Sequence, residues 1–182
     1  MDAATATIIG GRSEEALVRA AQAGDQAAFE ELYARYVRMV HGILLARLPL
    51  SEVEDLVQEV FLTALRKLRK LREPKAFGGW LAAIARNRAT DYHRSPPQPE
   101  PLSDIEVPAG NAGHEYLSEA KRVLQVIHSL PDAYRETLTL RLVEGFTGPE
   151  IAERTGLTAA SVRVNLHRGM QMLRDALRGE KQ

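Results

Sequence analysis

The sequence predicts an all-α fold, in which two helical domains are joined by a flexible linker and the second domain contains a helix-turn-helix. Three observations carry that prediction. Apolar residues recur at three- and four-residue spacing through most of the chain, and no alternation long enough for a strand interrupts them. A stretch rich in proline, Ser95 to Gly113, divides the periodic sequence in two. The segment from Gly145 to Arg178 then splits into two helical patterns around Thr155-Gly156-Leu157.

Residues 1–12 read as a disordered lead-in of small residues, and the first domain covers 13–95. Its apolar stripe begins at Leu17, Ala20 and Ala21, breaks at Gly24-Asp25, and continues through Phe29, Leu32, Tyr36 and Val40 to Leu48. Ser13 and Asp25 have the short oxygen-bearing side chains that cap helix starts. Pro49 stops the pattern, and Ser51 with Glu54 has the spacing of a capping box for the next helix. Leu56, Val57, Val60, Phe61, Ala64, Leu65 and Leu68 form one broad apolar side of that helix. Asp55, Gln58 and Glu59 lie near its N-terminal end, where acids suit the helix dipole. Arg66, Lys67, Arg69, Lys70, Arg72 and Lys75 then place six basic groups within ten residues. That exceeds dipole compensation and points to a polyanion or an acidic partner surface. After Pro74 a helix restarts on Phe77, Trp80, Leu81, Ile84 and Ala85, and it ends on Arg86, Asn87, Arg88, Asp91, Tyr92, His93 and Arg94. Trp80 is spaced with Ile84 and reads as core through its inner ring face, whereas Tyr92 sits in a polar, basic setting that fits a core role less well.

The linker covers 96–115 and the second domain 116–178. Periodicity resumes near Tyr116 with Leu117, Val123, Leu124 and Ile127, and Tyr134, Leu138, Leu140, Leu142 and Val143 supply another helix. Thr147 with Glu150 makes a capping box, and Pro149 stands at an early position where its missing donor is harmless. Gly156 can take the left-handed turn, Leu157 can fill the corner, and Thr158 caps the last helix. Val162, Leu166, Met170, Leu173 and Leu177 are its apolar stripe; Ser161, Arg163, Asn165, His167 and Arg168 lie between. This is the arrangement of a helix whose polar and basic face enters a major groove. By spacing alone it also fits an ordinary helical hairpin with a wet face.

Composition narrows the function classes. At 45% hydrophobic and 26% charged residues the chain has enough apolar side chains to fold, and zero cysteines excludes disulfides, thiol chemistry and cysteine-ligated metal. No apolar run approaches membrane-spanning length, and the first residues lack a basic region leading into an apolar core, so no membrane insertion and a cytoplasmic location are expected. The histidines, His41, His93, His114, His128 and His167, form no metal-binding pair, and no phosphate loop, dinucleotide fingerprint or nucleophile elbow is present. No metal, cofactor or enzymatic activity is expected. Net charge is zero, but residues 1–95 carry +2, 96–115 carry −4 and 116–182 carry +2. Two mildly basic segments flanking an acidic connector imply weak DNA binding by the isolated chain, with a larger partner supplying positive surface.

Set side by side, Asp55-Leu56-Val57-Gln58-Glu59-Val60-Phe61, Trp80-Leu81, Ile84-Ala85-Arg86-Asn87 and the helix-turn-helix resemble a bacterial RNA polymerase sigma factor of the extracytoplasmic-function group, which keeps only the second and fourth conserved regions. The resemblance covers about residues 13–95 and 116–178. It implies that Asp55, Leu56, Gln58, Glu59 and Phe61 belong to the helix that docks on the clamp helices of the polymerase β′ subunit, with the β flap as a further contact. It implies that Trp80, Arg86, Asn87, Arg88, Asp91, Tyr92 and Arg94 engage the melted promoter −10 element, whose capture needs an apolar wall with amide and basic groups. The linker is similar to the acidic connector that runs through the RNA exit region, where its −4 charge would mimic nucleic acid.

The same resemblance assigns Ser161, Arg163, Asn165, His167, Arg168 and Arg174 to the −35 element of promoter DNA. Ser161 and Arg163 are the base-edge candidates, and Arg168 and Arg174 fall to phosphate. The pattern departs at Arg163-Val164-Asn165, where the family often has lysine, serine and arginine. Asn165 can read adenine bidentately but cannot neutralise a phosphate, so either the promoter sequence differs or this contact is weaker. Family members are commonly held inactive by an anti-sigma protein, which is implied as a partner. Two rival readings remain from the residues: a stand-alone helix-turn-helix regulator, and a sigma-like protein that sequesters an anti-sigma factor.

Overall fold

The structure is a computed structural model that describes residues 12–94 and 122–179. The lead-in, the linker and the start of the second domain's first helix therefore lie outside the described residues. Every regular element among those described is helical, in keeping with the all-α expectation. No helix among them is long and apolar enough to cross a membrane.

Helices α1 (Glu14–Gln22) and α2 (Gln26–Leu45) start where the sequence supplies a cap. Ser13 Oγ accepts from the Ala16 amide, and Asp25 accepts from the Ala28 amide at 3.1 Å. Between them the chain reverses at Gly24, whose φ of 101° a side chain would disfavour. Helix α3 (Leu50–Lys67) corrects one expectation. Its N-cap is Pro49, with no side-chain cap, and Ser51 bonds to Glu52 instead of closing a box with Glu54. Proline's fixed φ already presets the helix start two residues earlier, which places Ser51 inside the first turn, too late to cap. Two 3₁₀ turns, Leu68–Lys70 and Pro74–Ala76, lead into α4 (Phe77–Arg94).

The second half consists of α5 (122–129), α6 (Asp132–Leu142), α7 (Gly148–Thr155) and α8 (Ala159–Gly179). Val126, Ile127, Leu130, Leu138 and Leu173 form a small core that ties α5, α6 and α8 together. At Gly169 a Cβ would lie 3.1 Å from Leu138 and Tyr134, so glycine is what lets α8 lie this close to α6.

The larger core is not confined to the first half. Leu17, Leu32, Ile43, Phe77 and Leu81 are continuous with Leu140, Phe146, Ile151 and Val162 from the second. Periodicity assigned each residue to a buried face but could not show that the two halves share one core. The seam leaves a mark in the sequence: Gly42 lies inside α2, where glycine costs about 0.5–1 kcal/mol relative to alanine. A Cβ there would lie 2.8 Å from both Glu144 Cγ and Leu140 Cδ2, across the seam. At Gly78, the second residue of α4, a Cβ would come within 2.6 Å of the Arg154 carbonyl oxygen. Both positions need glycine because the second half packs there.

Candidate nucleic-acid interface

The helix-turn-helix forms as its residues require. Glu150 donates its amide to the Thr147 hydroxyl, and the Glu150 carboxylate accepts from the Thr147 amide at 2.7 Å, closing the capping box. Those side-chain and backbone bonds to Thr147 hold the Glu150 carboxyl below its ordinary pKa. Gly156 ends α7 with φ 73°, and Leu157 is half-buried against the core at the corner. Thr158 Oγ1 then accepts from the Ser161 amide at 3.1 Å, and the hydroxyls of the two residues lie 2.8 Å apart.

These caps fix the roll of α8. Val162, Gly169 and Leu173 face inward, which turns Ser161, Arg163, His167, Arg168 and Arg174 to solvent and leaves Asn165 half-exposed. Arg163, Val164, His167 and Arg168 border a shallow concavity of about 330 Å³. Among the described residues no ion pair engages Arg163, Arg168 or Arg174, so their guanidinium groups stay available to phosphate or base edges. Exposed Val164, to which the sequence assigned no contact, is the apolar residue among the four that border this concavity and is suited to a thymine methyl.

The second surface lies between α3 and α4. Glu59, Thr63, Arg66 and Lys67 from α3 face Asn87, Arg88 and Asp91 from α4 across a groove of about 490 Å³, with Val60, Leu62 and Ile84 as its apolar wall. It joins residues expected to serve two different partners. Arg88 pairs with Glu59 across it. Asn87, Asp91 and Arg94 are exposed. Trp80 is half-buried, its ring 5.9 Å from that of Phe77, so its inner face is core as its spacing suggests. Tyr92 also packs against the core, with its ring 5.8 Å from the His93 ring; the polar neighbourhood that argued against this holds only for its outer edge.

Within the docking set, Asp55 and Gln58 are exposed and Glu59 half-exposed, but Leu56 and Phe61 are buried. Phe61 packs against Tyr33 at 4.5 Å and Phe29 at 6.5 Å between ring centres. These two side chains hold the helix in place and offer little to a partner. Leu65, expected on the buried side, is instead 48% exposed, as is Leu62 at 55%. Both lie beside the exposed basic run of Arg66, Lys67, Arg69 and Lys70.

Arg86 is placed unlike its neighbours. Its Nε and Nη2 donate to Glu136 at 3.0 and 2.6 Å, and Arg47 Nη2 reaches the same carboxylate at 2.8 Å. Burial by itself would raise the Glu136 pKa, yet the hydrogen bonds and charge of Arg86 and Arg47 outweigh it and hold the carboxyl below its ordinary value. Thus one guanidinium expected at single-stranded DNA is occupied by the other half of the molecule, a pairing that sequence spacing gave no means to find.

Comparison with known proteins agrees over both halves. The Sigma-70 region 2 family matches residues 32–96 and the Sigma-70 region 4 family matches 120–173. The ECF RNA polymerase sigma-E factor of Haemophilus influenzae is 32% identical over 184 residues, covering 91% of this chain and 95% of its own. The protein of the same name from Escherichia coli K12 is 33% identical over 176 residues, covering 88% and 92%. Among solved structures, CnrH in complex with the cytosolic domain of CnrY is similar with a TM-score of 0.64 and 26% identity, over 91% of this chain and 97% of that one.

Proposed function

We propose a mechanism from the premise that the chain belongs to the extracytoplasmic-function sigma factors of bacterial RNA polymerase. Working in the cytoplasm, it binds core polymerase through the exposed Asp55, Gln58 and Glu59 of α3, which meet the β′ clamp helices, while buried Leu56 and Phe61 fix the presentation of that helix. The second half sits at the β flap and lays the Arg163–Arg168 face of α8 along the −35 duplex. The groove between α3 and α4 takes the melted −10 strand, with Asn87 as the amide, Arg88 for phosphate, and Val60, Leu62 and Ile84 as the apolar wall; Trp80, Tyr92 and Arg94 lie outside that lining on the same helix and would meet the strand beyond the groove. The chain performs no covalent chemistry; it selects the site at which the polymerase acts. A protein that covers both halves, as the cytosolic domain of CnrY partners CnrH, is the expected inhibitor.

One observation carries this reading: a capped recognition helix with unpaired arginines and a basic-rimmed, strand-sized groove stand on one chain. A duplex-only regulator has no use for the groove. The test is strand opening. With core polymerase, thymines near −10 should become reactive to permanganate only when the chain is added. Reactivity that does not depend on the chain, on any promoter in a random library, would reject the mechanism.

A further inference from the structure

Val164 is an apolar residue on the side of α8 that has no core to face. Valine is a weak helix former, because its branched Cβ loses freedom against the preceding turn. In α8 it is nevertheless 43% exposed and gains little burial in return. The roll of the helix explains its place. Val162, Gly169 and Leu173 are the buried residues of α8. That roll is tightly held, since a Cβ at Gly169 would come within 3.1 Å of Leu138 and Tyr134 on α6. At about 100° per residue, Val164 projects about 140–180° away from all three, at the middle of the outward face. Ala160, one turn earlier on the same row, is exposed and small enough to let a duplex approach. Arg163, His167 and Arg168 border the concavity around Val164. The two arginines can lay their aliphatic stems along it while their guanidinium groups reach outward.

Asn165 is turned elsewhere. By the same rotation it lies about 40–80° from the three buried residues, and it is accordingly only half-exposed. The amide suited to adenine therefore sits on the inner flank of the helix. The centre of the reading face is instead a side chain with neither donor nor acceptor. In the major groove one feature of a base edge suits such a side chain, the methyl group at C5 of thymine. 5-Methylcytosine carries the same group on the same atom.

We propose that Val164 is the base of a C5-methyl pocket, through which α8 reads one pyrimidine of the −35 duplex by its methyl group and not by hydrogen bonds. The proposal rests on the reading of α8 as the −35 helix and adds the class of base that it selects. Such a pocket accepts thymine and 5-methylcytosine and disfavours uracil and cytosine, so methylation of one cytosine strengthens a weak site. Arg163 and Arg168 on its flanks then take guanine edges or phosphates.

The test starts from promoters selected out of a random library by the full-length chain with core polymerase. Each −35 thymine is then replaced in turn by deoxyuridine, which removes the methyl group and leaves the hydrogen-bonding edge intact. One replacement should weaken promoter competition about fourfold, the gain expected from burying one methyl group. At that position a 5-methylcytosine–guanine pair should outcompete a cytosine–guanine pair by a similar factor. Val164→Ala, an exposed change that favours the helix, should bring both factors to about one, with helical circular dichroism and core-polymerase affinity unchanged. Asn165→Ala should leave both factors in place. A methyl effect that persists in Val164→Ala, or the lack of any −35 thymine that responds to deoxyuridine, overturns the pocket. So does a loss in Val164→Ala that is equal on methylated and unmethylated DNA. A failure of the sigma reading shows up earlier, as no promoter selected with core polymerase. The methyl comparison then runs on duplexes selected by the chain alone, and the absence of any selected duplex overturns the pocket as well.

Discussion

At the residue scale, charge pairing decides more than charge number. Arg163 and Arg86 are both arginines on helix faces next to a candidate DNA surface, yet only Arg163 stands without an acidic partner. Arg163→Ala is expected to cost about 1–3 kcal/mol at one or two −35 positions if the side chain reads base edges; competition across a promoter library measures it, and an equal loss on every sequence would assign the residue to phosphate. His41 carries the pH dependence of the seam. Its hydrogen bond to Glu144 raises its pKa above 6.5 against the opposing effect of burial, and the charges of Glu144 and Glu54 add to the rise while Arg38 shares the Glu144 carboxylate. A folded-state value above the unfolded one means that His41 contributes stability fully below about pH 6.5, and that this contribution is lost as pH climbs through the raised value. Glu136 has the opposite sign: its lowered pKa contributes above 4.5 and fades as pH falls through the lowered value. Denaturant midpoints should therefore fall on moving upward from pH 6.5, and His41→Gln should flatten that limb while leaving the acid limb in place. An unchanged upper limb in His41→Gln would remove His41 from the account.

At the element scale, the helix-turn-helix was almost wholly legible in the sequence because its structure is set locally. Thr147, Glu150, Gly156 and Thr158 each act within four residues of themselves, and each does in the fold what its type and position predict. Thr147→Ala should cost about 1 kcal/mol, within a range of about 0.5–2, read as a lower denaturant midpoint with an unchanged slope; no shift would mean that α7 is held by packing alone. Helix α3 was read less well. Its apolar stripe is broader than its buried face, and spacing cannot show which flank of such a stripe is left outside, so Leu65 was misplaced while Leu56 and Phe61 were grouped with exposed partners. That division makes a prediction. Asp55→Ala combined with Gln58→Ala changes only exposed side chains, so it should weaken core-polymerase binding with the melting temperature nearly unchanged; full affinity in the double variant would move the docking surface elsewhere on the molecule.

At the scale of the whole molecule, the sequence showed two helical halves and an acidic connector but not their embrace. The contacts that join them span long sequence separations, such as Arg47 to Glu136 and His128 to the Leu45 carbonyl, and no local pattern encodes a partner so far along the chain. Gly42 and Gly78, where a Cβ would strike the second half, are the marks that this close approach leaves in the sequence. A net charge of zero fits the same picture, because the acids that cancel the basic surfaces include the two that cross the seam. A chain so balanced is expected to have little long-range attraction for DNA and to draw on a larger partner for affinity. Transcription from a random promoter library by core polymerase, with and without the chain, measures that dependence directly. The account predicts that initiation becomes confined to promoters sharing one −35 and one −10 sequence only when both components are present; sequence-specific duplex binding by the chain alone, with no promoter supporting initiation, would contradict it.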